Sequence, residues 1–352
     1  MKIIHTGDLH IGSAHGNLPP EKSAQRKREI LDGFCQLARF AKENGVSAVL
    51  IAGDFFDENG VAAEWKRDAL AAVRAASPVR FFYVSGNHDV GLELGADLPE
   101  NLFLFSQNHG WYSYDLGENI TLTGADSRHF DTALAFPPRL ARERYNIVVL
   151  HGELREILPA MQNRNVDYLA LGHIHKPHRE AQRLDARGVY RYCGCFEGRG
   201  FDEVGSRGFF LLQIEKGKLT DEKFLSLAKR TVWELPVDIT ACQTYTDVET
   251  AAFSATAQIK NTDIVKLVLT GSPSAGLRKD LPLLSARIDE RFFHAKVVDE
   301  SRPKLDYRAF EKDLTERGEF VREVGRYEMN EAFRAEVLDV GLKALNGEEI
   351  DL

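Results

Sequence analysis

Five times in the first half of this chain, a short apolar run ends in residues of metal-ligand type. Lys2-Ile3-Ile4-His5-Thr6 leads into Asp8-Leu9-His10, Ala48-Val49-Leu50-Ile51 into Gly53-Asp54, and Arg80-Phe81-Phe82-Tyr83-Val84 into Gly86-Asn87-His88-Asp89. Tyr145 to Leu150 leads into His151-Gly152, and Val166 to Leu171 into Gly172-His173-Ile174-His175. The runs have the length and β-branched or aromatic content expected of buried strands. Each ligand pair is weak by itself. An Asp or Asn after a strand is usually turn chemistry, and His-x-His merely puts two imidazoles on one face of an extended chain. Five such points at five strand ends are not explained by five independent turns. They call for a fold that gathers the carboxyl ends of its strands, where open α/β sheets bind their ligands.

The intervening segments fit that demand. Ile30, Leu31, Phe34, Leu37, Ala38 and Ala41 have helical spacing, so a helix is expected over 21–44, closed by Asn44-Gly45, and a second over 62–76. Short strands with Gly turns are expected from 102 to 126, a loop over 127–144, and further strands at Val189–Tyr192 and Phe209–Ile214. The expected fold class is α/β, a two-sheet α/β sandwich over 1–230 with helices outside. Beyond Thr231 the ligand types thin out. A small α+β cap domain of βαβαβ order is expected over 231–303, and a C-terminal helical segment over 304–352. In that segment Tyr307, Phe310 and Leu314 form one apolar stripe, and Phe333, Val337, Gly341, Ala344 and Leu345 a second.

With 352 residues the chain has ample length for more than one core. No apolar run approaches a membrane span, and Met1 runs straight into a strand without a signal-peptide pattern. The four cysteines have no CxxC spacing, so a reducing, cytoplasmic location is expected, with Cys193-Gly194-Cys195 as small residues ending a strand. A net charge of −8 argues against indiscriminate polyanion binding, although bound divalent ions reverse the sign locally. Arg128, Arg139, Arg142 and Arg144, or Lys176, Arg179 and Arg183, are candidates to track a phosphate backbone.

Asp8, His10, Asp54, Asn87, His151, His173 and His175 are too many donors for one transition metal and suit two, with Asp54 the candidate bridge. Two such ions clamp a phosphate oxygen and activate a water. Imidazole donors favour Mn, Fe, Co or Zn over Mg and Ca, and the set contains no thiolate.

The order Asp-x-His, Gly-Asp, Gly-Asn-His-Asp, His, Gly-His-x-His resembles the calcineurin-like metallophosphoesterases, over residues 1–215. The resemblance implies that Asp8, His10, Asp54 and His175 hold one metal, and Asp54, Asn87, His151 and His173 the other. It implies that His88 protonates the leaving oxygen or stabilises charge on the transition state. Within the superfamily, Thr6-Gly7-Asp8-Leu9-His10-Ile11-Gly12 and Ala52-Gly53-Asp54-Phe55-Phe56-Asp57 are similar to motifs of the SbcD-type DNA repair exonucleases. The stretch from Gly198 to Gly208 resembles the YhaO-like bacterial branch. Two positions depart from the family's commoner residues. Gly7 stands where Ser or Ala is usual, and Asp57 where some relatives have a histidine. Asp57 then either orients His88 or caps its loop. The implied activity is a Mn-dependent DNA exonuclease or phosphodiesterase in repair or end processing. The alternative is a phosphodiesterase or phosphatase acting on nucleotides or other small phosphoesters. The implied partners are DNA and an SMC-like coiled-coil ATPase, with a homodimer as a further state the reading admits.

Overall fold

The protein is described from a computed structural model covering all residues except 14–17, 58–60, 91, 96, 106–109, 275, 303–312 and 346–352. The chain divides into two compact units, one comprising Met1–Glu234 with Lys260–Val265 and Phe292–His294, the other the remainder.

The first unit is built on two six-stranded mixed sheets. One contains β1 (Lys2–Thr6), β2 (Ala48–Ala52), β3 (Arg80–Val84) and β4 (Leu102–Leu104) in parallel, extended from β1 by antiparallel β11 (Phe209–Glu215) and β12 (Lys218–Leu225). The other runs β5 (Tyr112–Gly117), β6 (Ile120–Gly124), β7 (Tyr145–His151), β8 (Tyr168–Gly172), β10 (Val189–Tyr192), β9 (Gln182–Arg183). Its inner strands β6, β7, β8 and β10 are parallel.

The alternation of side chains along each strand explains the layers. Ile3, Leu50, Phe82 and Val84 face Ile147, Val149, Tyr168 and Ala170 in a core between the sheets. Ile4, Val49, Ile51 and Phe81 point the other way, against α1 (Pro20–Glu43) and α2 (Ala63–Ala75). Val148, Leu150, Leu169 and Leu171 likewise face outward, toward α3 (Phe130–Ala135) and α4 (Leu154–Met161). Because both faces of these strands are covered, they read as unbroken apolar runs. The helix α1 starts with Pro20 at its first position, where the missing N–H costs nothing, and Gly45 at φ 64° turns the chain beyond its end.

The expected loop at 127–144 contains structure. Ser127–His129 is a 3-10 turn capped by the Asp126 carboxylate, which accepts from the Arg128 N–H, and α3 follows directly. Six residues are too few for an apolar period to register.

In the remaining chain, β13 (Val232–Asp238), β14 (Ile264–Thr270) and β15 (His294–Asp299) form a three-stranded sheet. The connecting helices are α5 (Tyr245–Ala255), with a Thr244/Asp247 capping box, and α6 (Leu281–Asp289), capped by Asp280. Helices α7 (Glu316–Gly325) and α8 (Glu331–Leu345) pack together through Val321, Val324, Leu338 and Leu342. Gly341 lies under the Phe320 ring, so part of the second apolar stripe is internal packing, while Phe333 (53%) and Leu345 (43%) stay exposed. Of the first stripe, Tyr307 and Phe310 lie outside the described residues and Leu314 is exposed. No described helix is long and apolar enough to cross a membrane.

Candidate metal centre

The loops after β1, β2 and β3, the last residue of β7, and the loop after β8 all emerge at one end of the sandwich. The first two run on side by side: Asp8 N donates to Gly53 O (3.0 Å), His10 N to Asp54 O (2.9 Å) and Ile11 N to Phe55 O (3.1 Å). The third is tied to them by Asp89. Its buried carboxylate accepts from the N–H groups of Phe55 (2.7 Å), Phe56 (3.1 Å) and Gly86 (2.6 Å) and from the Tyr83 hydroxyl (2.5 Å).

Within this frame the seven sequence-predicted ligands converge. The Asp54 Oδ2 atom lies 3.5 Å from His10 Nε2 and 3.4 Å from His151 Nε2. The Asn87 Oδ1 atom lies 3.0 Å from His151 Nε2 and 3.1 Å from His173 Nδ1. The Nε2 atoms of His10 and His175 are 3.2 Å apart. Asp8 accepts from His173 N at 2.9 and 3.1 Å, and Asp54 Oδ1 from His88 N at 2.9 Å. Donor atoms of Asp8, His10 and His175 lie within 4.8 Å of one another, as do those of Asp8, Asp54 and His151.

Outer contacts orient three of the four imidazoles. The His151 Nδ1–H donates to Ala52 O (2.9 Å), His175 Nδ1 faces Glu203 Oε1 (2.6 Å), and His173 Nε2 faces Glu153 Oε1 (3.3 Å). In each ring the remaining nitrogen faces the cluster, the arrangement by which proteins fix a ligand's tautomer. Glycine is required for this packing. A Cβ at Gly53 would lie 2.0 Å from His151 Nδ1, and one at Gly86 2.0 Å from Asp54 Oδ1.

The electrostatics agree with a site for cations. Burial raises the Asp8 carboxyl to about 7, against the pull of the His175 imidazole, and also raises Asp54. Burial lowers His10 to about 2 and His151 to about 4, with Arg199 adding to the His10 shift. The interior thus resists charge on the ligands, and a central cation is what would offset that resistance. The donors are oxygen and imidazole nitrogen, directed inward and mostly buried, which fits two divalent ions of the Mn, Fe, Co or Zn type.

His88 is exposed and packs its ring edge against His10, with centroids 4.9 Å apart. Donor atoms of His10, Asp57 and His88 lie within 4.8 Å of one another. Backbone hydrogen bonds also anchor Asp57, whose N–H donates to Ile11 O and whose carbonyl accepts from Val61 N, both at 3.0 Å.

Sequence reasoning assigned no role to Glu203, Arg199, Asp89 or Glu153. Glu203 accepts from Arg199 N (2.7 Å) and Arg199 Nη2 (2.8 Å) in addition to facing His175. Despite burial, these partners hold its carboxyl well below the usual range. Burial pulls His175 down, but Glu203 and Asp8 outweigh it and raise the ring. Cys193 and Cys195 are buried, and burial pushes both thiols up, so neither is a thiolate. A hypothetical Cβ at Gly7 would lie 3.0 Å from Ala52 O and 3.1 Å from Cys193 Sγ, a tight fit that glycine avoids.

The profile described as calcineurin-like phosphoesterase matches residues 1–177. The chain is 28% identical over 268 residues to the DNA double-strand break repair protein Mre11 of Methanopyrus kandleri, covering 64% of this chain and 57% of that protein. It is 25% identical over 303 residues to the uncharacterized metallophosphoesterase YhaO of Bacillus subtilis, covering 77% of this chain and 72% of that protein. It therefore spans less than two thirds of the first relative's length. Among solved structures, a dimetal phosphatase from Danio rerio matches at TM-score 0.41 and 13% identity, covering 60% of this chain and 92% of that one.

Proposed function

The chain belongs to the calcineurin-like phosphoesterases, and from that premise we propose that it is a Mn-dependent phosphodiesterase that cleaves DNA, acting from strand ends in repair or end processing. The observation that supports this best is the position of Asp54 Oδ2, 3.5 Å from His10 Nε2 and 3.4 Å from His151 Nε2, where a carboxylate can serve two ions. Asp8, His10, Asp54 and His175 would hold one ion, and Asp54, Asn87, His151 and His173 the other. Bound there, the ions would supply Lewis-acid polarisation of the phosphate and an acidified water. The chain's own contribution is positional. Asp89 fixes the loop that carries Asn87 and His88, and Glu203, Glu153 and Ala52 O set the imidazole tautomers. His88, exposed above His10, would give its proton to the leaving oxygen, with Asp57 beside it.

DNA as substrate is supported by the likeness to repair proteins and by the motifs shared with SbcD-type nucleases. An SMC-like coiled-coil ATPase is the proposed partner, since the chain carries a net charge of −8 and gains from a protein that delivers duplex. The alternative substrate class, small phosphoesters, is favoured by one observation. Of the arginines that are candidates to track a backbone, Arg144 pairs with Asp115 and precedes the amino end of β7, roughly 20 Å from His151 by strand rise. End-labelled single- and double-stranded oligonucleotides, incubated with Mn or Mg beside a panel of small phosphodiesters, separate the two. Turnover of small esters with intact oligonucleotides would refute the DNA reading. In the same assay Asp54→Asn is expected to abolish activity and metal retention together; two tightly held metals in that variant would contradict the bridging role.

A further inference from the structure

The stretch from Gly198 to Gly208 carries a guanidinium to one side of the metal centre. Arg199 Nη2 lies 3.1 Å from His175 Nδ1 and donates to Glu203 Oε1 at 2.8 Å, and the side chain is 20% exposed. The surrounding backbone is pinned. Arg26 Nη2 donates to Gly198 O (2.9 Å), Glu203 N to Gly200 O (3.0 Å) and Arg207 Nη1 to His175 O (2.6 Å). Glu203 Oε2 also accepts from the Arg199 backbone N–H at 2.7 Å. The carboxylate is therefore held by His175 and by the main chain as well as by the guanidinium, and removing the Arg199 side chain leaves those two holds in place.

A guanidinium beside a site for cations opposes their binding. The two proposed ligand sets are unequal in charge. Asp8 and Asp54 both serve the ion with His10 and His175, whereas Asp54 alone is the carboxylate for the ion with Asn87, His151 and His173. Ligand charge sets the affinity of a divalent site, so the first ion would be held more tightly, and Glu203 behind His175 adds a further negative charge. Arg199 opposes both. Its charge acts on Asp8, His10 and His175, the ligands of that first ion. The charges that act on His151, a ligand of the second, are His173, Asp89 and His175.

We propose that Arg199 is a counter-charge that keeps the ion held by Asp8, His10 and His175 exchangeable, so that occupancy of this half of the centre follows the free metal concentration. The proposal rests on the dimetal reading above and adds a regulation of that site. Arg199 is a positioning residue in this role: it acts through Glu203 and His175 and touches no reacting atom.

The test is stepwise manganese binding to the full chain, followed by a chelator chase that reads the release of each ion. A unit charge in a part-buried position shifts the affinity of a neighbouring ion by roughly one to two powers of ten. Arg199→Gln is therefore expected to tighten one of the two sites by about tenfold and to slow release of its ion by a similar factor. Arg199→Lys keeps the charge and should stay within about threefold of the unaltered protein. The tightening should persist in an Asn87→Ala background, which removes a ligand of the other ion only. Adding Arg199→Gln to Glu203→Gln should likewise tighten the site by about tenfold over Glu203→Gln alone, and this pair decides the matter if the single variant is unstable. A weaker site in Arg199→Gln makes the side chain a strap for Glu203 and overturns the proposal. Unchanged manganese binding also overturns it, and weaker binding of inorganic phosphate by that variant would make Arg199 a phosphate clamp instead. Unaltered protein that takes up fewer than two manganese ions removes the dimetal reading and this proposal with it. Two ions in the unaltered protein, with a weaker or unchanged site in the variant, remove the counter-charge alone.

Discussion

Replacing Glu203 by Gln isolates what one charge contributes to one half of the metal centre. The Glu203 side chain is 3% exposed, and its Oε1 lies 2.6 Å from His175 Nδ1 and 2.8 Å from Arg199 Nη2. Gln keeps the volume and one acceptor oxygen, but removes the charge that favours Nδ1–H and balances Arg199. Hydrogen bonds to buried charged groups contribute roughly 1.5–3 kcal/mol, and loss of an outer partner of a metal ligand typically costs about 10–100-fold in affinity. The two scales agree, since tenfold corresponds to about 1.4 kcal/mol. The site that uses His175 should therefore weaken by about 10–100-fold, while the site that uses Asn87, His151 and His173 should change by less than about threefold. Glu153→Gln is the internal control. Its contact with His173 is longer, at 3.3 Å, and the carboxylate is 44% exposed, so solvent screens it and the effect should be small. Stepwise manganese titration against a chelating dye reads both sites, with thermal unfolding to confirm the fold. Equal weakening of the two sites by Glu203→Gln, or a larger effect from Glu153→Gln, would refute the reasoning.

His88→Ala should keep both metals and lose rate by roughly 10²–10⁴-fold, less on nitrophenyl esters, whose leaving oxygen needs no proton; metal loss in this variant would make His88 a ligand instead. His5 lies in the core, with Nδ1 facing the Tyr168 hydroxyl, and burial lowers it to about 3 from the ordinary 6.5. The unfolded chain therefore binds the extra proton between those values, so this contribution is full above pH 6.5 and declines toward pH 3, by up to about 1.4 kcal/mol per pH unit. His5→Gln should flatten the fall of Tm with acidification, and an unchanged slope counts against the assignment. On the C-terminal helices, Phe333→Asp with Leu345→Asp should preserve folding and reduce co-purification with the proposed coiled-coil ATPase, whereas Leu338→Asp should disrupt the helix pair; retained association in the double variant would move the proposed docking surface elsewhere.

The strand ends were legible because their strands are covered on both faces, so runs such as Ala48–Ile51 and Val166–Leu171 carry little but apolar residues. α1 was legible to within a residue because it repeats its apolar face for 24 residues. α3 and α4, with six and eight residues, are too short for that signal, and β12 alternates partly exposed side chains at a sheet edge. The supporting contacts were hidden for a different reason. Asp89 stood in view within Gly86-Asn87-His88-Asp89, yet its partners Phe55 and Phe56 are more than thirty residues away and use backbone N–H groups, which no side-chain pattern records. Glu203 likewise reaches His175 across 28 positions. The glycines of Gly53-Asp54 and Gly86-Asn87 were visible as punctuation. Their cause, a histidine ring and a carboxylate where a Cβ would sit, belongs to tertiary structure.

Four of the seven proposed ligands sit on left-handed or otherwise positive-φ backbone. Asp8, His10 and Asp54 all have φ 48°, and His173 has φ 103°. Among the described residues, the other non-glycine positions at positive φ are Glu118, Asn119, Asn163, Asn165 and Lys216, none of them a proposed ligand. The left-handed region costs an L-residue roughly 1–2 kcal/mol, and glycine would relieve it at each of these positions. Local propensity therefore favours glycine over aspartate and histidine here, although those two tolerate positive φ better than most side chains. What offsets the cost is the set of bonds from Asp8, His10 and Ile11 to the β2 loop, reinforced by Asp89. The geometry has a direct reason. Along β1 and β2 successive side chains enter one apolar core or the other, so a carboxylate that continued the strand would be buried in hydrocarbon. A left-handed residue just past the last apolar position turns the chain out of that alternation, and the donor then meets its partners from the neighbouring strands. Glycine would make the same turn and supply no donor. At these positions the side chain outweighs the backbone, which is the expected signature of a site held in place by the fold around it.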